Sequence, residues 1–248
     1  MLLAYSSSNA FYGYGMGGYG FFFDPTMILI YIGLALSLLA SAKVKGTFHK
    51  YSGVRSMSGL TGAQAAQRVL NSAGIYDVRI EHISGNLNDH YDPRSKVLRL
   101  SDSTYGSASV AAVGVAAHEC GHAIQHQQHY GPLVLRSTLV PLANFGSTLS
   151  WPIFFVGLIM SMRPLLTAGI ILFGLAVLFQ LVTLPVEINA SRRAVKVLEG
   201  CKILGAQEVQ GAKKVLTAAA WTYVASLAAS ILQLLRLVLL AGGRRRDD

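Results

Sequence analysis

The chain has few charged residues. Asp, Glu, Lys and Arg make up 13% of its 248 residues, whereas a soluble domain carries about 25%. The shortage is uneven, because charges gather in residues 43–119 and 187–214 while long stretches elsewhere have almost none. Together with the 52% of hydrophobic residues, this excludes an ordinary soluble domain. It predicts a membrane protein with one polar module built from two pieces of chain.

Cysteine and an N-terminal leader pattern are also lacking. Cys120 and Cys201 are the two cysteines, and neither has a CxxC partner. A disulfide framework is therefore excluded, and we expect reduced thiols in a cytoplasm-facing module. The first apolar run is preceded by neither a basic region nor a small-residue cleavage site, so we expect no cleavable signal peptide.

Four apolar stretches are long enough to cross a bilayer. Lys and Arg flank them, so the net charge of +9 fits the positive-inside rule, and we expect no binding to nucleic acid. Lys43, Lys45 and Lys50 follow the first stretch and put the polar segments in the cytoplasm. The predicted division is a flexible aromatic and glycine-rich tail (1–23), a first transmembrane helix (24–42), a cytoplasmic module (43–131), two transmembrane helices (132–185), a cytoplasmic segment (186–214), a fourth transmembrane helix (215–241) and a charged tail (242–248).

The basic cluster Arg244–Arg246 conflicts with this topology. Four crossings that begin outside place the cluster outside as well, against the positive-inside rule. Either the fourth stretch does not fully cross, or the tail is an exception. Both alternatives stay open at this stage.

The polar module has the pattern of a small α+β fold. The capping box Thr61-Gly62-Ala63-Gln64 begins a helix that Gly74 ends. Residues 78–80 are a strand candidate, and residues 90–100 have the pattern of a β-hairpin around the turn at Asp92-Pro93. An edge strand of such a hairpin can hold an extended peptide through backbone hydrogen bonds.

The most informative segment is His118-Glu119-x-x-His122, within a predicted helix over residues 107–128. Residues four apart share one face of a helix, so the two His side chains can bind the same zinc ion. Glu119 lies beside them, placed to take a proton from the attacking water. Cys120 points away from that face and is expected to be a small buried residue. The pattern also occurs by chance, so its meaning depends on a third ligand.

A catalytic zinc usually takes three protein ligands. A metzincin site is excluded, because Gln125 and Gln128 stand where that class has a glycine and a third His. His126 lies one turn further along the helix, too far to reach the same ion. The third ligand is therefore expected from another element.

Glu187 is the best candidate for that ligand. It follows about twenty uncharged residues at the end of the third apolar stretch, an unusual place for a carboxylate. Pro185 can begin a helical segment there. The alternative is an interfacial Glu187 paired with Arg192 or Arg193.

These residues resemble the gluzincin arrangement. His118-Glu119-x-x-His122 followed by Glu187-x-x-Ala190 is similar to the HtpX-type and CAAX prenyl peptidases, in which the downstream Glu is the third zinc ligand. This chain has Ser191 where those families have an Asp, which supports a ligand His by a hydrogen bond. Asn189 or a backbone carbonyl can take over that support.

A closer resemblance is to the YugP-like family of predicted membrane zinc metallopeptidases, over about residues 22–248. The resemblance implies a multi-pass protein of the bacterial inner membrane, a Zn²⁺ cofactor and peptidase activity, but no particular substrate. The segments that carry it are Asp24-Pro25-Thr26, Lys43-Val44-Lys45-Gly46-Thr47-Phe48, Tyr91-Asp92-Pro93, Ala117-His118-Glu119-Cys120-Gly121-His122-Ala123 and Leu232-Gln233-Leu234-Leu235-Arg236.

We therefore expect a mainly α membrane protein with about four transmembrane helices and a cytoplasmic zincin-like α+β module. The predicted function is a zinc-dependent endopeptidase at the cytoplasmic membrane face, acting on peptides or proteins, including membrane proteins, with its oligomeric state open. Its predicted base is Glu119, and its predicted zinc ligands are His118, His122 and Glu187. The donor that stabilises the oxyanion stays open among His90, Tyr91, His126 and Tyr223.

Three other functions fit the sequence less well. A site-2-type intramembrane protease needs its motif in a spanning helix and a downstream Asp, yet residues 107–117 are too short to span and no Asp occurs between Asp102 and Asp247. A non-catalytic metal-binding scaffold or regulator has no use for Glu119 as a base. An ion carrier is disfavoured too, because Arg236 lies too near the end of its apolar stretch to mark a pathway.

Overall fold

The computed structural model describes residues 24–243. The chain is a mainly α membrane protein, as predicted. The tail predicted over residues 1–23 and the Arg244–Arg246 cluster lie outside the described residues. The elements are α1 (Met27–Ser52), α2 (Gly62–Ser72), β1 (Arg79–Ile83), β2 (His90–Asp92), β3 (Val97–Ser101), α3 (Asp102–Tyr105), α4 (Val110–Gln127), α5 (Gly131–Ile159), α6 (Arg163–Gly200) and α7 (Ala206–Gly243).

Helices α1, α5, α6 and α7 are long and apolar enough to cross a membrane. Helix α1 packs antiparallel to α7, with Gly33 against Ala229 and Tyr51 against Gly211. Helix α5 packs against α6 in the same way, and glycines at these contacts let the backbones approach closely. The helix that carries the His-Glu-x-x-His motif, α4, is not among the four candidate spans, which disfavours the site-2-type alternative.

Pro185 lies inside α6, so the prediction that a helix begins there was wrong. A proline removes one backbone hydrogen bond and bends a helix, but long apolar helices tolerate this when neighbours pack against them. Helix α6 is therefore one continuous helix of 38 residues. It carries Glu187 directly from the apolar part of the helix into the polar module.

The last apolar helix, α7, contacts the first, α1, near both ends of α1. Near the end of α7, the Nη2 atom of Arg236 donates to Oδ2 of Asp24 at 2.9 Å, and the Arg236 side chain is 1% exposed. This contact favours the alternative in which the fourth apolar stretch crosses the membrane completely, because its end lies beside the start of the first stretch. A buried, paired guanidinium also fits a structural role better than an ion pathway.

The polar module contains the predicted hairpin and one strand pairing that the sequence pattern did not predict. Strands β2 and β3 pair antiparallel, as expected, and β1 pairs parallel to β3, which gives the order β1-β3-β2. The capping box is confirmed, since Thr61 and Gln64 each accept a hydrogen bond from the other's backbone N–H. Strand β2 is therefore an edge strand.

Helix α4 lies at the centre of the module. Strand β3 and helix α2 cover one side of it with buried side chains such as Leu98, Leu100 and Leu70, and α6 and α7 cover another. Cys120 is buried in this core with its Sγ 3.5 Å from the carbonyl oxygen of Ala66, as expected for a residue turned away from the metal. The burial of α4 on several sides holds the motif in one orientation.

The contact between α4 and α6 is unusually close at Gly121. A Cβ atom at Gly121 would lie 2.6 Å from the carbonyl oxygen of Ala190. The other Gly of α4, Gly114, faces α7, where a Cβ atom would lie 3.1 Å from the Cβ of Ala212. Small residues at these points let the motif helix lie directly against α7 and against α6, the helix that carries Glu187.

We expect Gly121→Ala to destabilise the protein by about 1–3 kcal/mol, because the added methyl group overlaps a backbone atom that cannot rotate away. Gly174→Ala is the matched control, since nothing lies within 4 Å of a Cβ there, and alanine is the better helix former. Thermal unfolding in detergent, followed by circular dichroism, measures both. Equal melting temperatures for Gly121→Ala and wild type would contradict the close contact.

Candidate metal centre

Three side chains from two helices meet at the surface between α4 and α6. The Oε2 atom of Glu187 lies 3.3 Å from Nε2 of His118 and 3.4 Å from Nε2 of His122. All three donor atoms lie within 4.8 Å of one another. His122 and Glu187 are buried and His118 is nearly so. The structure thus brings together the three residues predicted as zinc ligands.

The spacing of these atoms fits a tetrahedral zinc ion. Zinc binds imidazole nitrogen and carboxylate oxygen at about 2.0–2.2 Å, which puts two tetrahedral ligands about 3.4 Å apart. The two nitrogen–oxygen distances, 3.3 and 3.4 Å, match this value. Two imidazoles and one carboxylate also leave a fourth position free, as catalytic zinc sites require.

His122 is oriented by a chain of amides. Its Nδ1 atom lies 3.0 Å from Oε1 of Gln125. The Nε2 atom of Gln125 donates to the carbonyl oxygen of Val186 and to Oδ1 of Asn189, each at 2.9 Å. Because the amide nitrogen is used in this way, Oε1 accepts from the Nδ1–H of His122, and the Nε2 lone pair is left for a metal.

Two further residues complete this support. The Nε atom of Arg193 donates to Oδ1 of Asn189 at 2.7 Å, and a guanidinium can only donate, so the orientation of the Asn189 amide is fixed. The hydroxyl of Ser191 lies 3.1 Å from Nδ1 of His118. Ser191 thus contacts a ligand His from the position where related families have an Asp, while Asn189 acts through Gln125.

Arg136 is the residue that the sequence analysis missed. Its Nη1 atom lies 3.0 Å from Oε1 of Glu187, the oxygen that does not face the imidazoles. The interfacial alternative, Glu187 paired with Arg192 or Arg193, is therefore wrong. A signal was available, because Arg136 is the one Asp, Glu, Lys or Arg residue between Glu119 and Arg163.

Glu119 lies beside the ligands and is buried. Burial raises the pKa of Glu119 to about 7, and the neighbouring His118 opposes that rise. The backbone of Tyr91, on strand β2, is close enough to the Glu119 carboxylate to oppose the rise in its pKa as well. A carboxyl group with a pKa near neutrality can both accept and release a proton under ordinary conditions.

The four candidate oxyanion donors line the same cavity as the ligands, a space of about 820 Å³. The hydroxyl of Tyr91 lies 2.8 Å from Nδ1 of His126, and burial raises the pKa of Tyr91 to about 12, so the hydroxyl stays protonated. Tyr223 lies close to Glu187, while His90 is exposed. All four stay predictions.

Comparison with known proteins now identifies the family. The profile described as "Putative neutral zinc metallopeptidase" matches residues 26–242. The chain belongs to this family. It is 46% identical over 217 residues to the "Putative membrane protease YugP" of Bacillus subtilis (strain 168). The aligned residues cover 86% of this chain and 96% of that protein. No solved structure matches the chain.

The family confirms the resemblance to YugP-like proteins and implies Zn²⁺ as the cofactor. The described side chains fit that ion, since the candidate donor set, His118, His122 and Glu187, is the set that catalytic zinc uses. The membrane helices and the zinc peptidase family together support a membrane protease.

We expect Gln125→Leu to lower zinc affinity about 10–100-fold, because His122 loses the acceptor that fixes its tautomer. Competition with a chromophoric zinc chelator measures this directly. Gln127→Leu, two residues further along α4 and exposed, is the control and should bind zinc like the wild type. Equal affinities in the two variants would show that Gln125 does not orient the ligand.

Proposed function

We propose that this chain is an integral-membrane zinc-dependent endopeptidase of the bacterial inner membrane whose active site faces the cytoplasm. The observation that carries the proposal is the convergence of His118, His122 and Glu187 with the buried carboxyl group of Glu119 beside them. When bound, zinc polarises the scissile carbonyl and lowers the pKa of a water molecule.

Glu119 performs the proton transfers in this proposal. Its carboxylate takes a proton from the attacking water and later gives it to the leaving amine. Burial, which raises the pKa of Glu119, helps its carboxyl group to release the proton again after accepting it.

Strand β2 is the proposed substrate-binding element. Its residues, His90–Asp92, line the cavity, and within the described chain β2 pairs with β3 only, so its other edge is open. An extended peptide can pair with that edge through backbone hydrogen bonds that do not depend on side-chain identity. Binding of this kind uses the middle of a chain and favours an endopeptidase over an enzyme that needs a free terminus.

The far wall of the cavity comes from the first turns of α5, with Leu133, Val134 and Val140. These residues stand near the start of a candidate membrane-spanning helix, which supports a cavity at the membrane border. Apolar side chains at this depth suit substrate segments that leave the bilayer. We therefore include membrane proteins among the proposed substrates.

We expect Glu119→Gln to keep one zinc ion per chain and to lose hydrolysis about 10²–10⁴-fold, because the amide cannot accept the water proton. Glu187→Ala should lose both zinc and activity. Elemental analysis and digestion of casein, with cleavage sites mapped by mass spectrometry, distinguish the two effects and show whether cuts are internal.

Glu199→Gln serves as the control, since Glu199 is exposed near the end of α6. Full activity in Glu119→Gln would refute the proposed base. Full zinc occupancy in Glu187→Ala would move the third ligand elsewhere.

The proposed orientation is tested by cysteine labelling. The variant Lys202→Cys is made in a Cys201→Ser background. We expect an impermeant maleimide to leave this cysteine unlabelled in intact spheroplasts and to label it only after permeabilisation. Lys202 is exposed in the turn between α6 and α7, while Cys120 is buried and should not react. Met160→Cys, exposed at the opposite helix ends, should react without permeabilisation. The reverse pattern would put the active site outside.

A further inference from the structure

A second cavity, of about 690 Å³, lies between α1 and α7 and shares no lining residue with the metal centre. Four lysines line it, two from each helix: Lys43 and Lys50 from α1, and Lys213 and Lys214 from α7. No carboxylate is among the residues that line it. We call this cavity the lysine groove.

The positive-inside rule accounts for lysines on this side of the membrane but not for their convergence on one cavity. Elsewhere in the module, a cation such as Lys96 faces a carboxylate, that of Asp77. Glu208, the nearest acid along α7, instead accepts hydrogen bonds from the backbone N–H groups of Met57 and Gly205. Within residues 24–243, the lysines of the groove form no ion pair with an acid.

The groove lies at the border between the uncharged and the charged parts of α1 and α7. Lys43 follows the uncharged part of α1, and Lys214 precedes the uncharged part of α7. The Nζ atom of Lys43 lies 5.8 Å from the centre of the Trp221 ring. Trp221 is 50% exposed. Leu39, one helical turn before Lys43 on the uncharged part of α1, is 69% exposed. A tryptophan at this level is typical of the membrane interface.

The floor of the groove is made of small residues. Nothing lies within 4 Å of a Cβ placed on Gly46, and Ala42 and Thr217 on either side are exposed. There is therefore room for a bulky polar group between α1 and α7. Tyr51, at the inner end, packs on Gly211 of α7, so an occupant would bridge both helices beside an existing contact.

We propose that the lysine groove binds the headgroup of an anionic phospholipid from the adjoining leaflet. The phosphate lies between the lysines of α1 and those of α7, and the acyl chains run along Leu39 and Trp221. Basic pockets between membrane helices bind anionic lipid headgroups in this way. An apolar surface directly below the cations suits a lipid rather than a free anion.

Native mass spectrometry of the full chain in detergent tests the proposal. Dioleoyl phosphatidylglycerol and dioleoyl phosphatidylcholine are titrated separately, and the dissociation constant of the first bound lipid is measured. We expect the quadruple variant K43Q/K50Q/K213Q/K214Q to bind phosphatidylglycerol at least about tenfold more weakly than wild type. Phosphatidylcholine binding should not change.

A second quadruple variant controls for the loss of charge. It removes four exposed cations from the same side of the membrane, outside the groove: K45Q/R192Q/K196Q/K202Q. Its affinity for phosphatidylglycerol should stay within about twofold of wild type. Equal weakening in both variants would reduce the effect to net charge and overturn the proposal.

Two further sets of measurements complete the test of lipid binding. If the first quadruple variant does not fold, the double variants K43Q/K50Q and K213Q/K214Q are measured, and each should weaken binding. Inorganic phosphate at the lipid concentration should neither bind nor compete. Competition by phosphate, or cross-links of a photoactivatable phosphatidylglycerol that map away from Gly46 and Thr217, would refute a lipid in this groove.

Discussion

The close contact between α4 and α6 is the constraint on which the centre depends. His118 and His122 share a helix face whatever the rest of the fold does, but Glu187 lies 65 residues beyond His122 along the chain. Only because the backbone at Gly121 lies against the Ala190 carbonyl do the three donor atoms come within 4.8 Å. Helix α6 is continuous from its apolar part to the polar module, so the packing of the apolar helices also fixes the position of Glu187.

Neutral side chains support the two His ligands in this protein, and a cation pairs with the Glu ligand. Gln125 orients His122 and Ser191 contacts His118, while Arg136 pairs with the outer oxygen of Glu187. A carboxylate in place of Gln125 would add a further buried charge needing its own partner, whereas an amide needs hydrogen bonds only. Asn189, held by Arg193, supplies those bonds, so the network is satisfied without another acid.

The α1–α7 pair has different chemistry at its two ends. At one end, Arg236 is buried and paired with Asp24. At the other end, lysines of both helices surround an open groove without a carboxylate. A charge inside a helix pair requires a partner of the same chain, whereas charges at the interface can be met by water or by lipid. The ion pair thus holds the helix ends together, while the lysines line a groove open to solvent or lipid.

The sequence by itself determined the local features. Uncharged runs, the capping box, the hairpin and the four-residue spacing of the two His follow from hydrophobic pattern and helix or strand period, which depend only on neighbouring residues. The scarcity of carboxylates even singled out Glu187.

Only the tertiary structure decided the long-range features. The parallel pairing of β1, the continuity of α6 through Pro185, and the partners Arg136, Gln125 and Ser191 depend on which helices pack together. Packing of this kind is set by the complementary shapes of distant segments, and a periodic pattern along one segment carries no information about them.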